Sequence, residues 1–260
     1  MSRFFAVLSM AVLLGLIAIA PSNSTRAQGD GTPPATPQVV QVTSGLTIEP
    51  RHSEETVTTP PIDIKIDQPI LTGKADPKVD AFNKAVADLV KTTIDGLKDD
   101  VTKAEADITP DPTLPGSFIQ LTYTLITVNS SLISIHFDVF YYNTGAAHPG
   151  SFSNSLNYDL AAGKVLALSD LFVPDAKYLD VISAYCVKSL KDADRLDFPE
   201  GADPKPENYR SWTIAESGLR IVFDDTQVAP HAAGPQLCVV PYATLKPIVN
   251  SSGVLAQFVK

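Results

Sequence analysis

The spacing of apolar residues changes along the chain, and each change predicts a different element. From Ile62, isoleucines alternate with charged residues, which is the period of a strand with one face buried. From Asp76 the apolar residues recur at three- and four-residue steps, the spacing of one helix face. Asp76 is placed as an N-cap and Pro77 as the first helical residue. The stripe expected to pack on a sheet is Val79, Phe82, Val86, Leu89, Val90, Ile94, Leu97 and Val101.

Strand patterns dominate the rest of the chain. Two alternating runs, 118–128 and 132–142, flank Asn129-Ser130-Ser131, a composition typical of a hairpin turn. Further strands are predicted at 155–160, 165–168, 212–215, 219–223 and 237–241, and helices after Pro174-Asp175 and over 242–249. Helices separated by runs of hairpins indicate an α+β fold. We expect a mostly antiparallel sheet with hairpins, packed against one long and one or two shorter helices.

The composition of successive segments predicts the domain organisation. Residues 28–61 are rich in proline, threonine and serine and are predicted to be flexible, although short apolar pieces in them have the character of an edge strand. Residues 62–116 form a strand–helix amino-terminal half, and residues 117–260 form a carboxy-terminal half of the same composite domain. Within the second half, the charged and proline-bearing residues 192–210 are predicted to be a surface loop.

The first residues have the pattern of a secretory signal peptide. Residues 4–20 carry no charge and follow Arg3, and small residues come next. We expect cleavage after Ala27, which makes residues 1–27 the signal peptide. The alternative is an uncleaved segment that anchors the protein in the membrane. Cleavage removes two arginines and changes the formal net charge from −9 to −11.

Charge and cysteine content narrow the function classes. With 20 Lys+Arg against 29 Asp+Glu, the chain lacks the basic excess of a nucleic-acid binder. Two cysteines are too few for a four-thiolate zinc site or an iron–sulfur cluster. In an oxidising compartment, Cys186 and Cys238 either pair as a disulfide or pack separately as buried thiols.

The chain shows none of the short motifs that usually carry catalysis. The four histidines are far apart, and there is no nucleophile elbow, phosphate loop or dinucleotide-binding glycine pattern. We therefore expect no cofactor and no metal site. Asp224-Asp225 at a strand end is interpreted as a turn, and His231 as a surface or turn residue. His136 and Asp138, two residues apart on one strand, are expected to be solvated.

The loop from Asn143 to Gly150 is the most distinctive candidate for binding. It follows Tyr141 and Tyr142 at a strand end, and aromatic side chains beside a polar loop often anchor a partner. Gly145 lets the backbone turn, and His148 can donate or accept a hydrogen bond. The alternative interpretation is that this loop only stabilises the fold. The tentative binding residues are Tyr141, Tyr142, Asn143, Gly145 and His148.

The order of several short segments resembles a known family. The segments are Tyr141 to Gly150, Asn157-Tyr158-Asp159-Leu160, Gly163 to Leu166, Leu168 to Phe172, Val228-Ala229-Pro230 and Val239 to Tyr242. In this order they resemble the RsiV-like extracytoplasmic domain of unknown function. That domain occurs in a lysozyme-sensing anti-sigma factor, beside the catalytic domain of a peptidoglycan deacetylase, and in a secreted mycobacterial immunogenic antigen. The resemblance implies an α+β domain used for sensing or binding. The deacetylase His-x-x-x-His pattern is missing here.

Three function hypotheses follow. The first is an exported, non-catalytic binding or sensing module whose ligand is a cell-wall component, a lysozyme-like protein or another exported protein. The second is a hydrolase of wall glycan or peptide that uses His148 with Asp159 or Asp170. The third is a structural envelope protein tethered by its amino-terminal segment. The missing catalytic motifs favour the first.

Overall fold

Seven strands follow one another in sequence order to form a large sheet. The computed structural model describes residues 38–105 and 113–259, which belong to one compact unit. All neighbouring strands are antiparallel except β3 and β4, which run parallel. This arrangement confirms the α+β prediction. The strands are β1 (Val40–Thr43), β2 (Leu46–Thr58), β3 (Pro61–Gly73), β4 (Ser117–Val128), β5 (Leu132–Tyr142), β6 (Gly150–Asp159) and β7 (Lys164–Val165).

The long helix α1 (Pro77–Glu105) lies in the connection between the two parallel strands. A parallel pair needs such a crossover, and this helix covers one face of the sheet. Asp76 caps the helix as predicted, since its Oδ1 accepts a hydrogen bond from the backbone N–H of Lys78 at 2.8 Å. The predicted apolar stripe is buried in the core under the helix, except for Leu89, which is partly buried. Phe82 is completely buried and meets the ring of Tyr158 edge to face.

A smaller sheet forms the second layer of the carboxy-terminal half. It contains β8 (Trp212–Ala215), β9 (Gly218–Phe223) and β10 (Gln236–Val240), with β9 in the middle. Helix α2 (Tyr178–Asp192) packs with this sheet around a second apolar core, and the short helix α3 (Tyr242–Leu245) follows β10. A disulfide joins Cys186 of α2 to Cys238 of β10, with their Cα atoms 5.7 Å apart.

Side chains of the large sheet bind the edge of the small one. Thr127 Oγ1 donates to the carbonyl oxygen of Ile214 at 2.6 Å, and the Ile214 N–H donates to Ser134 Oγ at 2.9 Å. Asn157 Nδ2 donates to the carbonyl oxygen of Trp212 at 2.8 Å. β8 is an edge strand, so the N–H and C=O groups on its outer side have no strand partner in the small sheet. These contacts provide their hydrogen bonds. The two layers therefore pack on each other across a polar, hydrogen-bonded seam.

The prediction of a flexible segment over 28–61 is wrong for residues 40–58, which form β1 and β2. β2 pairs with β3 along its whole length, from Leu46 opposite Gly73 to Thr58 opposite Pro61. Pro50 is tolerated because β1 pairs only with the start of β2, so no described strand pairs with the far side of β2 at that position. The proline content of this segment therefore gave no indication of β2, which its pairing with β3 stabilises.

Several element boundaries also differ from the prediction. β6 begins at Gly150, which makes it longer than the predicted strand 155–160. β7 is only two residues long, Lys164–Val165, and shares only Val165 with the strand expected over 165–168. Helix α3 ends at Leu245. Residues 192–210 are not merely a surface loop, because Tyr209 is buried and donates to the carbonyl oxygen of Ala202.

The predicted signal peptide and cleavage site lie outside the described residues. Within the part of the chain that the structure describes, no helix has the length and apolar character needed to span a membrane.

Candidate functional site

The side of the large sheet opposite α1 is only partly covered. On β5, the residues that face this side change from buried to exposed along the strand: Leu132 and Ser134 lie under the small sheet, whereas Asp138 and Phe140 are exposed. We call the uncovered part the outer face. It consists of Phe118, His136, Asp138, Phe140 and Tyr142.

Three aromatic rings lie together on the outer face. Phe118 contacts Phe140 with ring centroids 5.4 Å apart and stacks on Tyr142 at 6.0 Å. Phe140 is 43% exposed, although its phenyl ring is apolar. Exposed aromatic groups that contact one another mark an interaction surface more often than isolated ones do. Sequence reasoning found Tyr142 but missed Phe118 and Phe140, whose positions on the polar side of their strands were the available signal.

Tyr141 lies on the other side of the sheet. Its ring packs against Phe152 and over Gly150, where an added Cβ would come within 2.6 Å of Tyr141 Cζ. Tyr141 therefore holds the start of β6 in place, and the structure separates it from the other tentative binding residues on the outer face.

The loop that follows β5 is fixed at its base and open at its tip. The Thr144 N–H donates to Ser117 Oγ at 2.8 Å, and the Ala146 N–H donates to the carbonyl oxygen of Asn143. Gly145 has φ = +82°, a conformation that favours glycine. Asn143 Oδ1 is buried and makes no hydrogen bond within the described residues. The loop thus presents its central residues to solvent on a rigid base.

His148 at the loop tip meets a second histidine from the carboxy-terminal half. The imidazole rings of His148 and His231 stack with centroids 4.2 Å apart and planes 24° apart. His148 Nδ1 lies 3.1 Å from the carbonyl oxygen of Pro149, which can only accept, so Nδ1 carries the proton. No local sequence pattern indicated this pair, because the two residues come from separate loops.

His231 is held by a carboxylate. Its Nδ1 lies 2.5 Å from Asp225 Oδ2. The Asp225 side chain is 12% exposed, and its other oxygen is buried without a hydrogen bond in the described part of the chain. An aspartate in this position orients the imidazole and leaves Nε2 as the nitrogen that can accept a proton. The interpretation of His231 as a plain turn residue therefore misses its role in a cluster.

The neighbouring Asp224 has a structural role that fits the predicted turn. Its Oδ1 accepts hydrogen bonds from both the backbone N–H and the hydroxyl of Ser153, each at 2.8 Å. Ser153 lies opposite Asp138 in the pairing of β5 with β6. Asp224 therefore joins the end of β9 to the outer face and brings the histidine cluster beside it.

His136 differs from the prediction, since its side chain is only 12% exposed, whereas Asp138 is solvated as expected. The small sheet packs beside it, where Ser134 bonds β8. His136 Nε2 lies 3.0 Å from Asp138 Oδ1, and its Nδ1 is buried without a hydrogen bond among the described residues. Burial lowers the pKa of the nearby Arg220, and the carboxylate of Asp138 acts in the opposite direction.

The structure does not bring His148 together with Asp159 or Asp170. Asp159 lies at the opposite end of β6, about 30 Å away along the strand, and accepts from the Ala162 N–H. Asp170 accepts from the Ala167 N–H at 3.1 Å and pairs with Lys164 at 3.5 Å. The carboxylate that serves the histidine pair is Asp225. In residues 38–105 and 113–259, no group of three or more His, Cys, Asp or Glu side chains is arranged to hold a metal ion.

Comparison with protein families identifies two matching regions. Residues 55–151 match the family model described as deacetylase PdaC, and residues 169–243 match the protein of unknown function DUF3298. A crystal structure of a DUF3298 family member from Bacteroides fragilis superposes with a TM-score of 0.63 at 16% identity, covering 84% of this chain and 99% of that one. Residues 169–243 are thus similar to DUF3298 proteins, and the superposition shows that the two chains share a fold. The finer assignment to the RsiV-like group stays a prediction.

Curated relatives cover part of the chain. The peptidoglycan-N-acetylmuramic acid deacetylase PdaC of Bacillus subtilis is 28% identical over 57% of this chain and 32% of its own length. An esterase of Mycobacterium tuberculosis is 26% identical over 42% of this chain and 49% of its own length. An immunogenic protein of the same organism is 24% identical over 40% of this chain and 47% of its own length. The chain thus matches half or less of each of these relatives.

Proposed function

We propose that this chain is an exported binding module of the bacterial envelope that recognises cell-wall glycan through its outer face. The observation that carries the proposal is the cluster of exposed Phe140 with the half-buried Phe118 and Tyr142, beside the polar groups of the 143–149 loop. Sugar rings have flat faces of C–H groups that stack on aromatic rings, and hydroxyl groups that bond polar side chains at the rim. An aromatic centre with a polar border is the usual composition of a recognition surface.

Three further observations support an extracytoplasmic role. The predicted signal peptide directs export. The disulfide between Cys186 and Cys238 suits an oxidising compartment. One relative is named as an enzyme of peptidoglycan, and its alignment with this chain spans 153 residues.

Co-sedimentation with insoluble peptidoglycan tests the proposal. Phe140→Ala should weaken binding about tenfold or more if the ring is an anchor. Phe198→Ala is the matched control, because Phe198 is a phenylalanine of similar exposure, 37%, outside the outer face. Equal binding by the two variants would rule out the outer face as the glycan site.

A basic lysozyme-like protein is the alternative ligand, since the acidic chain attracts it electrostatically. Immobilised lysozyme provides the second arm of the same experiment. Capture by lysozyme without sedimentation on peptidoglycan would replace the glycan with a protein ligand.

The pair of His231 and Asp225 favours a second candidate function, ester hydrolysis. In such a reaction His231 Nε2 takes a proton from water as the water oxygen attacks the ester carbonyl, and the proton then passes to the leaving alkoxide. The similarity to an esterase agrees with this chemistry. His231→Gln should lower the hydrolysis of a nitrophenyl ester at least a hundredfold, while Phe198→Ala leaves it unchanged. A wild-type rate equal to that of buffer would eliminate this candidate.

A further inference from the structure

Arg220 is a half-buried cation to which residues 38–105 and 113–259 give no close partner. It lies in the middle of β9, where its neighbours Leu219 and Ile221 are buried in the core with α2. Side chains alternate along a strand, so Arg220 lies on the opposite side of the small sheet from α2. Its cross-strand partner is Thr213 of β8, next to Ile214, which bonds the outer side of the large sheet.

The guanidinium group is partly removed from water and has no compensating contact. Among the described residues, Arg220 Nε is buried without a hydrogen bond, and no carboxylate oxygen lies within 4.0 Å of the side chain. The other arginines of the described part, Arg51, Arg195 and Arg210, are exposed. Burying a cation without a partner costs free energy, which an anionic ligand would offset.

Asp138 is the acidic residue whose negative charge favours the charged form of Arg220, but its carboxylate already contacts His136. Its Oδ1 lies 3.0 Å from His136 Nε2, and most of its side chain faces solvent. The carboxylate of Asp138 therefore gives Arg220 only a distant counter-charge. The N–H donors of the planar guanidinium are therefore free to bind another group. Two of them point the same way, and this pair matches the two oxygens of a carboxylate.

We propose that Arg220 is the anchor for a carboxylate of the ligand, so that the outer face recognises an acidic sugar in preference to a neutral one. Asp138 and Phe140 are two residues apart on the same side of β5, about 7 Å, which is close to the span of one sugar ring. A ring stacked on Phe140 therefore directs its substituents toward Asp138 and Arg220. This inference rests on the proposed function, because it places the ligand on the outer face.

The test compares ligands that differ in one group. N-acetylmuramic acid carries a lactyl carboxylate, its methyl ester carries the same group without charge, and N-acetylglucosamine lacks the group. We expect the acid to bind the purified protein about tenfold to a hundredfold more tightly than the ester in an NMR titration. A dipeptide, D-alanyl-D-alanine, distinguishes a peptide carboxylate from a sugar carboxylate.

Variants of Arg220 test whether this side chain causes the preference for the acid over its methyl ester. Arg220→Gln should remove the difference between acid and ester, and Arg220→Lys should keep only part of it, because lysine retains the charge without the fork. Asp138→Asn should strengthen binding of the acid and leave the ester unchanged, since it removes a competing negative charge. Arg51→Gln is the matched control at an exposed arginine of β2.

The outcomes separate this inference from the proposed function. Equal affinities of acid and ester for the wild-type protein, or an unchanged preference in Arg220→Gln, would overturn the role of Arg220 even if peptidoglycan still sediments the protein. A preference for the acid that depends on Arg220, without sedimentation on peptidoglycan, would support the carboxylate site and refute wall binding. Thermal melts of each variant confirm that the compared proteins are folded.

Discussion

The imidazole ring of His148 stacks on that of His231, with 4.2 Å between the ring centroids. This contact joins the loop after β5 to the loop before β10, and the Asp225 carboxylate holds the His231 ring at its Nδ1. The stack thereby attaches the tip of the 143–149 loop to the carboxy-terminal half. The stack therefore places the polar border of the outer face in one defined position.

A double-mutant cycle measures this coupling. The free energies of unfolding lost by His148→Ala and by His231→Ala should not add, and the difference should be about 0.5–1.5 kcal/mol, as for other contacts between aromatic rings. Urea denaturation gives the values. The pair His148→Ala and Phe198→Ala serves as the control and should be additive. An additive result for the two histidines would mean that the stack contributes nothing in solution.

The core under α1 provides the largest expected effect on stability. Phe82 is completely buried and lies 5.3 Å from the ring of Tyr158. Phe82→Ala should lower the free energy of unfolding by about 3–5 kcal/mol, because it removes buried apolar area and leaves a cavity. Lys84→Ala on the exposed side of the same helix should change it by no more than about 0.5 kcal/mol. Similar melting temperatures for the two variants would contradict the packing.

Replacement by phenylalanine should change the free energy of unfolding differently at two buried tyrosines, Tyr123 and Tyr209. Burial raises the pKa of both Tyr123 and Tyr209 to about 12. Tyr209 donates to the carbonyl oxygen of Ala202 at 2.6 Å, whereas the Tyr123 hydroxyl makes no hydrogen bond within the described residues. At neutral pH, Tyr209→Phe should therefore cost about 1 kcal/mol, and Tyr123→Phe should cost little.

The same tyrosines contribute to a loss of stability at alkaline pH. Above pH 10 the unfolded chain releases these protons while the folded chain keeps them, so stability falls as pH rises toward 12. The contribution of each group is complete below its unfolded pKa and is lost as pH rises through the folded value. Tyr123→Phe should therefore make stability decline less steeply between pH 10 and 12 than in the wild-type protein. An unchanged slope in urea denaturation would show that Tyr123 titrates normally.

The sequence predicted the elements whose periodicity repeats over many residues. The stripe of α1 and the alternation in β5 both arise from burial of one side against a single core, which leaves a regular pattern. β2 lacks that pattern because most of its side chains are exposed, and its backbone pairing with β3 in a long hairpin stabilises it. Local composition therefore could not distinguish it from a flexible segment.

The candidate site was harder to predict than the fold. Tyr142 lies on the outer face, and Asn143, Gly145 and His148 belong to the loop beside it, while their role in binding stays a prediction. The contacts of His148 with His231, and of Asp224 with Ser153, connect residues far apart in the chain and depend on how the small sheet packs. Arg220 has no distinctive neighbours in sequence, and its unusual state follows only from its burial beside the large sheet.

The disulfide should be both complete and stabilising. Titration of the unfolded, unreduced protein should find no free thiol, since both cysteines of the chain take part in the bond. Replacing Cys186 and Cys238 together with alanine should lower the free energy of unfolding by about 2–4 kcal/mol, because the bond closes a long loop between α2 and β10. Two reactive thiols in the purified, unreduced protein would contradict the pairing.

The salt dependence of binding should reveal which ligand the outer face takes. Removal of the predicted signal peptide would take two arginines away and change the formal net charge from −9 to −11, and a wall polymer rich in carboxylates is also negative. Added salt screens this long-range repulsion, whereas a half-buried contact such as that of Arg220 is screened much less. Sedimentation on peptidoglycan should therefore stay constant or increase between about 10 and 150 mM NaCl, as the Debye length falls from about 30 to 8 Å. Binding to a basic lysozyme-like protein would weaken over the same range, because salt screens an attraction. A steep loss of peptidoglycan binding with salt would contradict recognition by stacking and a sheltered arginine.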